Sequence, residues 1–308
     1  MNVLKTLRGE MRQQESMAKH TSWKVGGPAR QFYRPADRDD LSLFLGQLPE
    51  EELLAWVGLG SNLLVREGGF NGTVVHTRGC LTQIVDMDEF HFMAEAGVSC
   101  AVAARHAAKK GLVGLEFFAG IPGTVGGALA MNAGAFDGET WKAVESVEMI
   151  RRDGSVIRRY PDEFKIAYRE VGLPFENEWF LSAVFKLEKG DTQQAQNAIK
   201  ELLEKRGNSQ PIGQASCGST FRNPPGDYAA RLIESCGLKG ECVGDACVSE
   251  KHANFVINQG KASAADIEAL VQMMQDRVLE KTGVRLQREF HIVGQSLEQL
   301  KLKGDVGR

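Results

Sequence analysis

Gly120-Ile121-Pro122-Gly123-Thr124-Val125-Gly126-Gly127-Ala128-Leu129-Ala130-Met131-Asn132-Ala133-Gly134-Ala135 is the stretch on which the reading of this chain turns. Glycines at 120, 123 and 126 recur every third residue, and Gly127 doubles the last. A missing side chain lets another body approach the backbone closely. Amide N–H groups exposed that way at the start of a helix make an anion site. Upstream, Gly58-Leu59-Gly60-Ser61-Asn62 offers a second such segment. Two tight turns needing positive φ would also account for glycines here. The density from Gly111 to Gly138, far above an average of about 7%, favours two backbone cradles for one long phosphate-bearing ligand, most simply a dinucleotide.

Several alternatives are excluded. Phe117 to Phe136 carries no Lys, Arg or Glu and has the roughly 20-residue length of a membrane span. Its glycines, with Pro122, Thr124 and Asn132, leave too little apolar bulk for insertion. Gly58-Leu59-Gly60 lacks the third glycine of a Rossmann fingerprint, and no G-x-x-x-x-G-K-[ST] occurs, so neither a Rossmann nor a P-loop site is expected. The 308 residues suit two or three modest domains. A net charge of −3 offers no long-range attraction for nucleic acid. The polar stretch Met1 to Ser22 lacks the apolar core of a signal peptide, which points to a cytoplasmic protein. The six cysteines (Cys80, Cys100, Cys217, Cys236, Cys242, Cys247) form no C-x-x-C pair and are expected as reduced thiols, with no metal site.

Along the chain, helix signals fall at residues 36–48 and 99–110, the second stopped by Gly111. Strand signals fall at 29–34, 54–57, 73–77, 92–98 and 179–187. Val144 to Arg151 and Ser155 to Tyr160 flank Asp153-Gly154, a hairpin signal. A polar helix from Thr192 to Arg206 runs into a Pro/Gly/Ser loop at 207–219, a domain boundary. Ile267, Leu270, Val271, Met274 and Val278 form one apolar helical stripe, and Ser263 with Asp266 reads as a capping box. Val284 to Val293 alternates as a strand, with Glu289 on its polar face. The expected division is 1–79 and 80–206 as two subdomains, then 207–308 as a third domain.

These loops resemble those of the UDP-N-acetylenolpyruvoylglucosamine reductase family. The resemblance runs from His20-Thr21-Ser22-Trp23-Lys24-Val25-Gly26-Gly27 to Glu289. Between them lie Gly58 to Val65, Gly120 to Ala135, Ala167-Tyr168-Arg169-Glu170, Cys217-Gly218-Ser219-Thr220-Phe221-Arg222-Asn223-Pro224 and His252-Ala253-Asn254-Phe255. It implies an α+β FAD-binding fold of the vanillyl-alcohol-oxidase type, with two α+β subdomains clasping the flavin and a C-terminal α+β substrate domain. It implies FAD on Gly58, Gly60, Ser61, Asn62, Gly120, Ile121, Pro122, Gly123, Thr124, Gly126, Gly127, Asn132, Gly134 and Ala135. No histidine lies between Gly58 and Arg66 or between Gly111 and Gly138, so noncovalent FAD is expected. Ser219 follows Arg169 by only 50 positions, as in the shorter class of these reductases, which lacks a tyrosine-bearing insertion.

The implied reaction is reduction of an enolpyruvyl sugar nucleotide, with NADPH as hydride donor. Charge developing on the α-carbon and its carboxylate demands a cation, a hydrogen-bond donor and an acid. By resemblance Arg169 is the cationic clamp, Ser219 the proton donor and Glu289 a stabiliser of the developing charge, a role for which desolvation is expected to keep it protonated. Tyr168 and Asn223 are implied at the substrate, and Arg222, Arg231 and Lys251 are candidates for its phosphates. Each has a plainer reading: a solvated arginine, a loop serine bonding backbone, a solvent-facing carboxylate, a turn asparagine. An FAD oxidase of the same superfamily and a non-catalytic nucleotide-binding module are the competing functions. No protein partner is evident.

Overall fold

The computed structural model describes residues 6–300. The chain divides into two compact units: one of residues up to Arg12, Phe32–Leu59 and Val74–Lys205, the other of Gln13–Gln31, Gly60–Thr73 and from Arg206 onward. A four-stranded sheet is ordered Glu10–Ser16, Pro28–Arg34, Phe70–His76, Leu54–Val57.

The first unit is built on a five-stranded antiparallel sheet, ordered Val156–Arg159, Val144–Arg151, Glu178–Lys186, His91–Glu95, Ile84–Asp86. The Asp153-Gly154 hairpin forms as the turn residues demand, with Gly154 at φ +80°. The helix Cys100–Lys109 presents Ala103, Ala104, Ala107 and Ala108 to this sheet. Ser99 caps it by accepting the Val102 N–H, and Gly111 in left-handed backbone ends it. The helix Arg38–Gln47 covers a smaller core of Tyr33, Phe44, Ile150 and Leu181. Asp37 caps it, accepting the Asp40 N–H at 2.9 Å.

In the second unit the helix Ala264–Thr282 buries the stripe read from the sequence: Ile267, Leu270, Val271, Met274 and Val278 are all inside. Its capping box forms as expected, Ser263 with Asp266. The stripe packs with a three-stranded antiparallel sheet of Cys242–Val243, Ala246–Val248 and Val256–Asn258. Trp23 seals this core, fully buried, its indole N–H donating to the Val256 carbonyl at 2.8 Å.

Two expectations are corrected. The strand read over 284–293 is regular only at His291–Val293. Leu286 and Phe290 are buried as the alternation requires, but residues 284–290 make a single isolated bridge, Phe221 with Arg288. Cys242 and Cys247 are not reduced thiols; a disulfide joins them. The hairpin register sets the two directly opposite each other, a proximity that a spacing of five residues does not reveal. The other four cysteines are buried thiols.

Candidate functional site

In the first unit the two glycine segments meet. A Cβ on Gly58 would lie 2.3 Å from Thr124 Oγ1, and one on Gly126 would lie 2.9 Å from the Ala96 methyl. These two gaps are filled by the protein itself. Gly127 is different: a Cβ there would meet nothing nearer than 3.8 Å, and the residue is exposed. Gly58, Thr124, Gly126 and Gly127 line a cavity of about 170 Å³ together with Trp56 and Trp179. That is below the roughly 300–1,000 Å³ that encloses a whole drug-sized ligand, so it accommodates one portion of a dinucleotide. Trp56 stacks on Trp179, with ring centroids 5.2 Å apart. Its indole N–H is buried with no acceptor among the described residues, and a buried donor needs one. An open glycine face and an orphaned donor on one cavity fit a polar, flat cofactor such as FAD.

The rest of the run has several tasks. Ile121 packs on the core of the first unit, Pro122 is exposed, and the Gly123 carbonyl accepts the Cys100 N–H. Gly120 lies under the Phe136 ring. Gly134 and Ala135 form one arm of a hairpin with Gly138–Glu139. Asn132, expected at the cofactor, is 1% exposed and bonded to Glu139, Ala167 and Trp141. Arg169 lies at the turn between the strands Lys165–Ala167 and Glu170–Gly172, its Nη2 donating to the Gly134 carbonyl at 2.6 Å. The Tyr168 ring is exposed, 5.1 Å from the guanidinium carbon.

The second unit gathers the remaining candidates. Leu63–Val65 pairs in parallel with His291–Val293, setting Leu63 opposite His291. The loop before one strand therefore meets the residues before the other. The Asn62 carbonyl accepts the His291 N–H at 3.0 Å, and Asn62 Nδ2 donates to the Glu289 carbonyl at 3.3 Å. Gly60 permits this loop, with φ +67° and a Cβ position only 1.9 Å from the His20 carbonyl oxygen. The Glu289 N–H donates to the Thr220 carbonyl at 2.9 Å, so Ser219 and Glu289 stand on adjoining segments with Ser61-Asn62 alongside. Glu289 is half-buried rather than solvent-facing.

Electrostatics agree with this crowding. Burial pushes the Cys217 thiol far up, and the neighbouring Glu289 carboxylate adds to the effect. Burial, then the Arg222 charge, lowers His291 below its ordinary range. Asn223 Oδ1 accepts the Ala229 N–H at the start of the helix Ala229–Ser235. Arg231 pairs with Asp227, and Lys251 reaches the Gly207 carbonyl.

Sequence reasoning quoted Asn254 within a motif but gave it no role, and it missed Trp56. Asn254 is buried, accepts the Phe221 N–H at 2.9 Å and donates to the Phe221 carbonyl at 2.8 Å, while its own carbonyl takes the Thr220 N–H. It fixes the segment that carries Ser219. Its signal was an amide flanked by apolar Ala253 and Phe255; for Trp56 the sequence held none.

Comparison with known proteins defines the class. Residues 29–159 match the FAD binding domain, and no helix among the described residues is long and apolar enough to cross a membrane. Residues 210–293 match the C-terminal domain of UDP-N-acetylenolpyruvoylglucosamine reductase. Reductases of that name are 56% identical in Alkalilimnicola ehrlichii, covering 94% of this chain and 96% of that protein, and 53% identical in Coxiella burnetii, covering 94% and 98%. The crystal structure of the Thermus caldophilus reductase, 34% identical, superposes with a TM-score of 0.79 over 94% of this chain and 100% of that one. The chain belongs to the UDP-N-acetylenolpyruvoylglucosamine reductase family, and its fold is α+β with an FAD-binding domain.

Proposed function

We propose that Arg169, Ser219 and Glu289 are the catalytic residues of this chain, acting on a substrate placed against a flavin held by the two glycine segments. The chain is an FAD-dependent oxidoreductase that reduces the enolpyruvyl group of UDP-N-acetylglucosamine enolpyruvate to give UDP-N-acetylmuramate, with NADPH as hydride donor. FAD held by the two glycine segments would supply the hydride-transfer chemistry that links NADPH to the enolpyruvyl group. The chain's own groups handle charge and proton. Arg169 grips the substrate carboxylate through parallel N–H donors. Ser219 Oγ delivers the proton to the α-carbon, and protonated Glu289 donates to the carboxylate oxygens as negative charge spreads there. The main-chain bond from Glu289 to Thr220 is the observation that supports this reading, because it brings together the two segments that carry Ser219 and Glu289.

The cofactor segments in this reading are Gly58, Gly60, Ser61 and Asn62 and, from the glycine run, Gly120, Ile121, Pro122, Gly123, Thr124, Gly126, Gly127, Gly134 and Ala135, holding FAD noncovalently. Tyr168 and Asn223 contact substrate. Residues 1–79 and 80–206 serve as flavin-binding subdomains and 207–308 as the substrate domain. The protein works in the cytoplasm, without nucleic acid or an obligate protein partner.

The absorption spectrum of the purified protein tests this. Flavin bands should bleach with anaerobic NADPH and return when the enolpyruvyl sugar nucleotide is added without oxygen. A protein that stays colourless with added FAD, or whose bands return only with oxygen, overturns it. The proton on Glu289 has its own signature. A group that must be protonated loses activity as pH rises through its pKa, and glutamine cannot titrate. Glu289→Gln should lower kcat by about tenfold or more and remove the alkaline limb of the kcat profile. A profile unchanged in shape contradicts the role.

A further inference from the structure

Asn132 holds left-handed backbone (φ +43°) just past the helix Val125–Ala130. Its Oδ1 accepts the Trp141 N–H at 3.2 Å, while Nδ2 donates to Glu139 Oε2 at 2.9 Å and to the Ala167 carbonyl at 3.0 Å. Chemistry fixes which atom is which, since a main-chain N–H only donates and a carbonyl only accepts. Both amide protons are thus committed within the protein. The Glu139 acceptor is a firm anion: Lys142, in contact with it at 2.9 Å, holds its carboxyl below the usual range.

Ala167 is the residue before the Tyr168-Arg169 turn. Arg169 sits at φ +57°, a conformation a non-glycine residue keeps only where its surroundings impose it. On one side of the turn the Asn132 amide anchors Ala167; on the other the guanidinium bonds the Gly134 carbonyl. A Cβ on Gly134 would lie 2.3 Å from the Gly138 carbonyl oxygen and 2.8 Å from Arg169 Nη1, so the hairpin itself requires this glycine and the guanidinium lies against it. Asn132 and Gly134, two residues apart, grip both ends of the arginine turn.

We infer that Asn132 is a positioning residue for Arg169, fixing the hairpin that presents the guanidinium, and that its side chain does not contact the flavin. This rests on the reading of Arg169 as the carboxylate clamp. Its range of influence is the half-reaction in which the enolpyruvyl carboxylate is gripped, not the reduction of flavin by NADPH.

The test uses FAD-loaded enzyme with Asn132→Asp, which keeps the size and the Trp141 acceptor but loses both donors, and Asn132→Gly, which keeps the left-handed backbone without the amide. FAD affinity, read by flavin fluorescence, and bleaching by NADPH should stay within about threefold of the parent. Reoxidation by the enolpyruvyl sugar nucleotide should slow by about 10- to 100-fold with a raised KM, as sub-ångström misplacement of a substrate clamp can cost. In an Arg169→Ala background the same changes should add less than about threefold, because coupled residues are not additive. FAD affinity falling with normal reoxidation would make Asn132 a cofactor ligand and overturn the inference, as would a fully additive loss. An Arg169→Ala enzyme that reoxidises normally would instead sink the role of Arg169 itself, and the inference with it.

Discussion

Ser219→Ala is expected to leave flavin bleaching by NADPH intact and to slow reoxidation by the enolpyruvyl sugar nucleotide by about 10²–10³, on the order of 3 kcal/mol or more, typical of a lost preorganised catalytic donor. The fold should survive. No hydrogen bond among the described residues uses the Ser219 hydroxyl, and the neighbouring segment is held by main-chain bonds and by Asn254. A serine hydroxyl is a weak acid, but the carbanion left by hydride delivery is a strong base, so transfer runs downhill without a perturbed group. Stopped-flow measurement of each half-reaction decides the matter. An equal loss in both would mean that the change disturbs the flavin site generally, and Ser219 would not be the proton donor.

Glu178→Gln should cost about 3 kcal/mol of stability, because it removes one partner of a buried ion pair and leaves the other charged inside. Glu178 and Arg159 are 6% and 9% exposed at their side chains, joined by bonds of 2.9 and 3.1 Å, and Arg151 adds a third contact at 3.0 Å. Burial alone would raise the Glu178 carboxyl, but the two arginines hold it below the ordinary carboxylate range. A depressed folded-state pKa contributes stability above the unfolded pKa, and that contribution disappears as pH falls through the folded value. Parent and variant should therefore differ most near neutrality and converge in acid. Thermal midpoints at pH 7 and in mild acid measure this, at about 2–4 °C per kcal/mol for a unit of this size. A constant gap, or none at neutrality, would show that the pair is not a net source of stability.

The legibility of the chain follows from the range of the forces involved. The helix Ala264–Thr282, its capping box and the Asp153-Gly154 hairpin were readable because their determinants lie within a few residues of one another. Glycine positions were readable too, but not their reasons. Gly58 is glycine because of Thr124 and Gly126 because of Ala96, partners distant in sequence, whereas Gly134 is crowded first by the Gly138 carbonyl of its own hairpin. The Cys242–Cys247 pairing failed for the same reason, since only strand register sets the two thiols face to face.

By itself the sequence determined the family, the α+β class, the flavin and the identities of Arg169, Ser219 and Glu289 as candidates, because ordered motifs survive without coordinates. Only the tertiary structure decided that Glu289 is half-buried beside the Ser219 segment, that Asn254 fixes that segment and that Asn132 is committed to the arginine turn. Those relations depend on which backbone groups meet across tens to hundreds of intervening residues, and local pattern carries no record of such meetings.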